Sequence, residues 1–73
     1  MASLDTRTPR RVLRHRRYRT YFKHGAWTRN LDQADDFSNV RQVAETCIRY
    51  RLRGVDLVLG AAAGLREISI QVA

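Results

Sequence analysis

The chain has 73 residues, one cysteine, two histidines and a formal net charge of +7. That length allows one domain with a small core and little net stability, and the cysteine and histidine counts exclude an intramolecular disulfide and a Cys/His zinc site. No run reaches the length of a membrane span, and the basic N-terminus lacks the apolar stretch of a secretory signal, so a cytoplasmic, reducing location is expected by default.

The charge is unevenly spread. Residues 1–24 hold Arg7, Arg10, Arg11, Arg14, Arg16, Arg17, Arg19 and Lys23 against Asp5 alone, whereas basic and acidic groups balance over residues 25–73. Residues 1–12, MASLDTRTPRRV, lack apolar periodicity and contain Pro9. They read as a flexible arm, which we draw as 1–14, ahead of one domain over 15–73.

From Arg16 the run RYRTYFK is rich in aromatics and threonine, as strands are. Tyr18, Thr20 and Phe22 would line one face and Arg19, Tyr21 and Lys23 the other. His24-Gly25 is a turn signal and Ala26-Trp27-Thr28 a short returning strand, making a hairpin. Asn30 can cap one turn of helix over Leu31 to Ala34. Leu31, Ala34 and Phe37 are spaced to face one side and to close an end of the core.

Phe37 to Gly54 predicts one amphipathic helix. At about 100° per residue, Val40, Val43, Ala44, Cys47 and Ile48 share a face, with Gln42, Glu45, Thr46, Arg49 and Arg53 opposite. Ser38 and Asn39 are both possible caps; Asn39 is preferred because it puts Gln42 at the third position, a capping box. Asp35 and Asp36 upstream and Arg51 and Arg53 in the last turn suit the helix dipole. Gly54 suits the left-handed residue that ends a helix. Glu45 and Arg49 form an i, i+4 pair worth ~0.3 kcal/mol. Arg51 falls on the apolar face, where its methylenes would cover core surface while the guanidinium reaches solvent; a ligand-facing charge is the alternative. Cys47, on the same stripe, reads as a small core residue.

After Gly54, VDLVL reads as a strand with Leu57 and Leu59 on one face and Asp56 and Val58 on the other. GAAAG connects it to LREISIQV, whose strict alternation places Ile68, Ile70 and Val72 inward. The expected fold is α+β: a small antiparallel sheet in ββαββ order, packed by one face on the helix. The other face would be open and carry Arg19, Tyr21, Lys23, Ser69 and Gln71.

Gly25-Ala26-Trp27-Thr28, Ala34, Phe37-Ser38 and Ala44 within the helix resemble a pattern of small bacterial and phage domains of unknown function. There a Trp-Thr hairpin leads through an Ala…Phe-Ser link into a helix and then a strand. The likeness spans about residues 18–58. It departs from the pattern at Arg41, where an acidic residue is usual. It implies structural roles for Trp27, Ala34 and Phe37 and no activity.

Catalytic chemistry finds little support. Nucleophilic catalysis needs a base and an orienting acid beside Ser or Cys, and His15 and His24 lie far in sequence from Ser38 and Cys47. Asp35-Asp36 has no third oxygen ligand at a metal-binding spacing. GAAAG lacks the lysine and hydroxyl of a phosphate loop and precedes a strand. A protein without catalytic activity or cofactor is expected.

Nucleic-acid binding has more physical support. Arginine pairs bidentately with phosphate, and sheet aromatics stack on unpaired bases. The candidate contacts are Arg10, Arg11, Arg14, Arg16, Arg17, Arg19, Tyr21 and Lys23, acting on single strands with little sequence preference. If about five cations met phosphate, log affinity would fall against log salt with a slope near −4. The alternative is a protein-interaction or homodimerisation module that uses the open sheet face or the unblunted edge strand ISIQV. The basic arm would then meet an acidic partner or an anionic membrane surface.

Overall fold

The structure, a computed structural model, describes residues 10–60 and 67–73. Its elements are β1 (Arg11–His15), β2 (Tyr21–Lys23), β3 (Ala26–Thr28), a 3-10 turn (Leu31–Gln33), α1 (Val40–Arg49), β4 (Val55–Leu59) and β5 (Ile68–Gln71). The α+β class holds, with one helix and a five-stranded antiparallel sheet ordered β3-β2-β1-β4-β5. The element order differs from ββαββ because a further strand, β1, comes first and occupies the centre. The first part of the sequence-drawn arm, residues 1–9, lies outside the described residues; its end, Arg11–Arg14, is in that strand.

β1 is central because both of its faces are covered. Leu13 packs with Phe22, Phe37, Val43, Val55 and Leu57 on the helix side of the sheet. Its neighbour Val12 packs with Val58 and Ala34 on the opposite side, flanked by Tyr21 and Leu31. Val12 and Leu13 are both 0% exposed. Adjacent residues on a strand point to opposite faces, so the Val-Leu pair supplies one side chain to each cluster.

A single crossing segment makes both clusters possible. Asp35 N–H donates to the Phe22 carbonyl at 3.0 Å and Phe37 N–H to the Arg11 carbonyl at 2.8 Å. The segment from Asp35 to Phe37 therefore lies between the splayed ends of β1 and β2. Ala34 ends up on one face and Phe37 on the other, so Leu31, Ala34 and Phe37 do not share a side as their spacing suggested.

The β2–β3 hairpin forms as expected. Lys23 pairs with Ala26 across a two-residue turn, and His24 and Gly25 both have positive φ, 45° and 85°. That is the combination a two-residue hairpin turn demands. A Cβ at Gly25 would also meet the Tyr50 ring at 3.2 Å. Upstream, Arg16 begins a turn rather than a strand, and only Tyr21–Lys23 of RYRTYFK pairs.

Asn39 caps α1, its Oδ1 accepting from Gln42 N–H at 2.9 Å, while Gln42 Oε1 accepts from Ser38 N–H at 2.8 Å. The helix is shorter than expected. It ends in a Schellman motif, with Leu52 N–H donating to the Cys47 carbonyl and Arg51 N–H to that of Ile48. Arg51, φ 51°, takes the left-handed position that the sequence assigned to Gly54. It is exposed past the helix end, and its apparent breach of the apolar stripe disappears. Glu45 pairs with Arg41, at 3.3 Å, rather than with Arg49.

The helix uses only part of its apolar stripe. Val43 is buried and Cys47 half-buried, but Val40 is 67% and Ile48 78% exposed, and Ala44 is exposed too. The flank carrying Gln42, Thr46 and Tyr50 lies beside Phe22 and His24. The opposite flank, with Val40, Ala44 and Ile48, is left exposed. Ile68 and Ile70, expected inward, are 57% and 45% exposed on edge strand β5. Their alternation gave the correct face, but that part of the face is uncovered.

Candidate nucleic-acid interface

Arginines in and around β1 are drawn into the fold. Arg10 reaches across to the 3-10 turn, its two terminal nitrogens donating to the Leu31 and Ala34 carbonyls at 2.6 Å each. Arg14 is buried; it donates to both carboxylate oxygens of Glu67, at 3.0 and 3.1 Å, and to Ser69 Oγ at 3.1 Å. Burial disfavours its charge, but the contacts with Glu67 and Tyr21 outweigh that and raise its pKa. Arg16 pairs with Asp56 at 3.0 Å and donates to the main-chain oxygens of Val55 and Ala73. These three of the predicted contacts hold the protein together.

The rest divide differently. Tyr21 is half-buried beside Val12 and Val58, and Lys23 is half-buried on that same sheet face. Tyr21, Lys23, Ser69 and Gln71 do share a face, but the 3-10 turn covers part of it. Arg11 is exposed on the helix side. Arg17 and Arg19 are exposed on the turn joining β1 to β2. Among the described residues, the side chains of Arg17, Arg19 and Arg29 have no hydrogen-bond or ion-pair partner; the same holds for Arg11, Lys23, Arg49, Arg51 and Arg53, none of which lines the aromatic cleft.

That turn borders a cleft of about 410 Å³ lined by His15, Tyr18, Thr20, Trp27 and Arg29. Its rings form a connected set. His15 lies 4.8 Å from Tyr18 and meets Trp27 edge-on at 5.4 Å. Trp27 is braced from behind by buried Phe22 at 5.6 Å. Tyr18 is 65% and Trp27 38% exposed, and the Arg17 guanidinium sits 5.6 Å from the Tyr18 ring centre.

Local hydrogen bonds shape the turn. His15 N–H donates to the Thr20 carbonyl at 2.7 Å and Arg19 N–H to that of His15 at 2.8 Å. His15 Nδ1 accepts from the N–H groups of Arg17 and Tyr18, both at 3.2 Å, which leaves Nε2 to carry the ring proton. Arg19 has φ 60°, a conformation that costs a non-glycine residue about 1 kcal/mol. The signal for this site is the aromatic-arginine run around Tyr18. It pointed to the opposite strand face and left out His15, Trp27 and Arg29.

A second cleft, about 260 Å³, lies between the hairpin tip and α1 and is lined by His24, Asp35, Thr46, Arg49 and Tyr50 among others. Its His24–Asp35 pair supports the turn: Asp35 Oδ2 accepts from His24 N–H at 2.8 Å and Oδ1 lies 3.4 Å from Nε2. Burial pushes the Cys47 thiol pKa up, the opposite of what an activated nucleophile needs. Among the described residues no three His, Cys, Asp or Glu side chains gather as metal ligands, and no helix is long and apolar enough to cross a membrane.

Compared with known proteins, the chain matches no family model, no curated protein and no solved structure.

Proposed function

We propose that the chain is a small nucleic-acid-binding protein without catalytic activity, which holds an unpaired strand at the His15–Tyr18–Trp27 cleft. The observation that carries this reading is the pairing of exposed, braced aromatic rings with arginines that have no partner inside the described fold. Unpaired bases stack on such rings with little regard to sequence, each stack being worth about 1–3 kcal/mol. Arg17, Arg19 and Arg29 meet the backbone phosphates on either side. With about three phosphate contacts on a single strand, log affinity falls against log salt with a slope near −2. That is shallower than the −4 expected if about five cations met phosphate.

Trp27 is the one tryptophan in the chain, so its fluorescence reports directly on the cleft. A generic single-stranded oligonucleotide at low salt is expected to quench it, and Trp27→Ala is expected to weaken binding about tenfold, measured by anisotropy of a labelled strand. Absence of binding at low salt, or wild-type affinity in Trp27→Ala, would remove the proposal.

A further inference from the structure

From the exposed flank of α1 and the last strand of the sheet, we infer that a second copy of this chain docks along β5. The pairing is antiparallel and turns two five-stranded sheets into one.

β5 ends the sheet order, so one of its edges is unpaired among the described residues. Natural edge strands are normally blunted by a lysine, a proline or a bulge. ISIQ has none of these, whereas the opposite edge, β3, has three residues and is followed at once by Arg29. Side chains directly opposite each other on paired strands share a face. With Ser69 on a two-fold axis, Ile68 of one copy lies opposite Ile70 of the other, and Glu67 lies opposite Gln71, so no like charges meet.

The side chains above this edge fit the same occupant. Ile68 and Ile70 lie on the helix face of the sheet, because they pair with Leu59 and Leu57. Val40, Ala44 and Ile48 form a second exposed apolar strip, on α1. A two-fold axis perpendicular to the sheet puts both helices on one face. The four isoleucines then form one continuous apolar floor beneath them, an isologous and closed contact.

Charge permits a copy of the same chain at this edge. The chain carries +7 overall, so two copies repel across most of their surface. From Val55 to Ala73 there is one basic residue, Arg66, against Asp56 and Glu67, and Glu67–Ala73 has none. This is the side on which two cationic copies approach with least repulsion. A domain of 8.5 kDa has little core of its own, and oligomerisation is a common source of the missing burial.

Sedimentation equilibrium of the full chain tests the inference. The weight-average mass is expected to rise from 8.5 kDa to a plateau at twice that value between micromolar and millimolar concentration. A mass that stays at the monomer value at millimolar concentration, or climbs past the dimer without a plateau, overturns it. Ile70→Lys and Ile48→Asp alter exposed side chains on the two elements. Each is expected to keep the wild-type circular dichroism and to raise the dimer dissociation constant at least tenfold. If one variant fails to fold, the other decides, and an unchanged constant in a folded variant overturns the inference. Trp27→Ala is expected to leave the dimer constant unchanged; loss of the dimer there would move the contact to the cleft and sink the β5 placement. The oligonucleotide affinity of Ile70→Lys, measured separately, distinguishes failure of the dimer from failure of the nucleic-acid reading.

Discussion

The stretch from Arg10 to Arg16 and the loop-and-hairpin region from Arg17 to Arg29 are built from the same residue type and use it in opposite ways. In the first, the guanidinium groups of Arg10, Arg14 and Arg16 bond to the protein's own carbonyls and carboxylates, and the exposed Arg11 side chain alone has no such partner among the described residues. In the second, Arg29 lines the open aromatic cleft, Arg17 and Arg19 sit on the turn that borders it, and the side chains of all three bond to nothing among the described residues. A count of positive residues cannot separate the two groups. What matters for a polyanionic ligand is how many cations remain after the fold has taken its share.

The largest test of that contrast is to remove core surface from the first region. Leu13→Ala is expected to cost about 2–5 kcal/mol in urea denaturation, enough to unfold much of so small a domain. A chain starting at Arg16 lacks the central strand and is expected to show no cooperative transition. If it folded, the division between a structural stretch and a binding stretch would fail.

An intermediate effect is expected at the Arg14 pair. Glu67→Ala leaves a buried guanidinium without its carboxylate and should destabilise by about 1–3 kcal/mol. Arg14→Met removes charge and penalty together and should cost under about 1 kcal/mol. Neither should change oligonucleotide affinity per folded molecule. Arg17→Ala should do the reverse, leaving the urea midpoint within about 0.5 kcal/mol of wild type while reducing the salt slope by about 0.7.

The smallest effect sharpens the comparison at one residue. Arg19 holds a left-handed conformation that glycine adopts freely, so Arg19→Gly should gain about 0.5 kcal/mol of stability while losing one phosphate contact. A variant at once more stable and weaker in binding would show that the arginine is kept for the ligand. If both quantities were unchanged, Arg19 would have no place in the site.

The legible parts of the chain were those where a local signal had only one reading. Asn39 with Gln42, His24-Gly25 and the alternation in the last two strands fixed a cap, a turn and a hairpin. β1 escaped because its signal is two adjacent apolar residues, Val12 and Leu13, inside RRVLRHRR. A strand buried on both faces has no alternation to show, and the surrounding arginines read as solvated when three of them are satisfied by groups far along the chain. Ile68 and Ile70 mark the other limit. Period fixes which way a side chain points but not whether anything lies above it. The cleft is half visible in the sequence: Arg17 and Arg19 stand out, but Trp27 suggests only a structural role, because a ring braced by Phe22 on one side and open on the other resembles a packed residue in sequence.

The middle position of β1 also fixes when the protein can fold. Its partners are β2, a few residues downstream, and β4, which pairs Val12 with Val58 and Arg11 with Leu59. A ribosome must therefore complete most of the chain before the first strand gains its second neighbour. Until then Val12 and Leu13 stay accessible, and folding waits on a contact between distant parts of the sequence, the kind that slows a small domain. Any product stopped short of β4 leaves the leading strand half-paired and open to capture by chaperones or proteases.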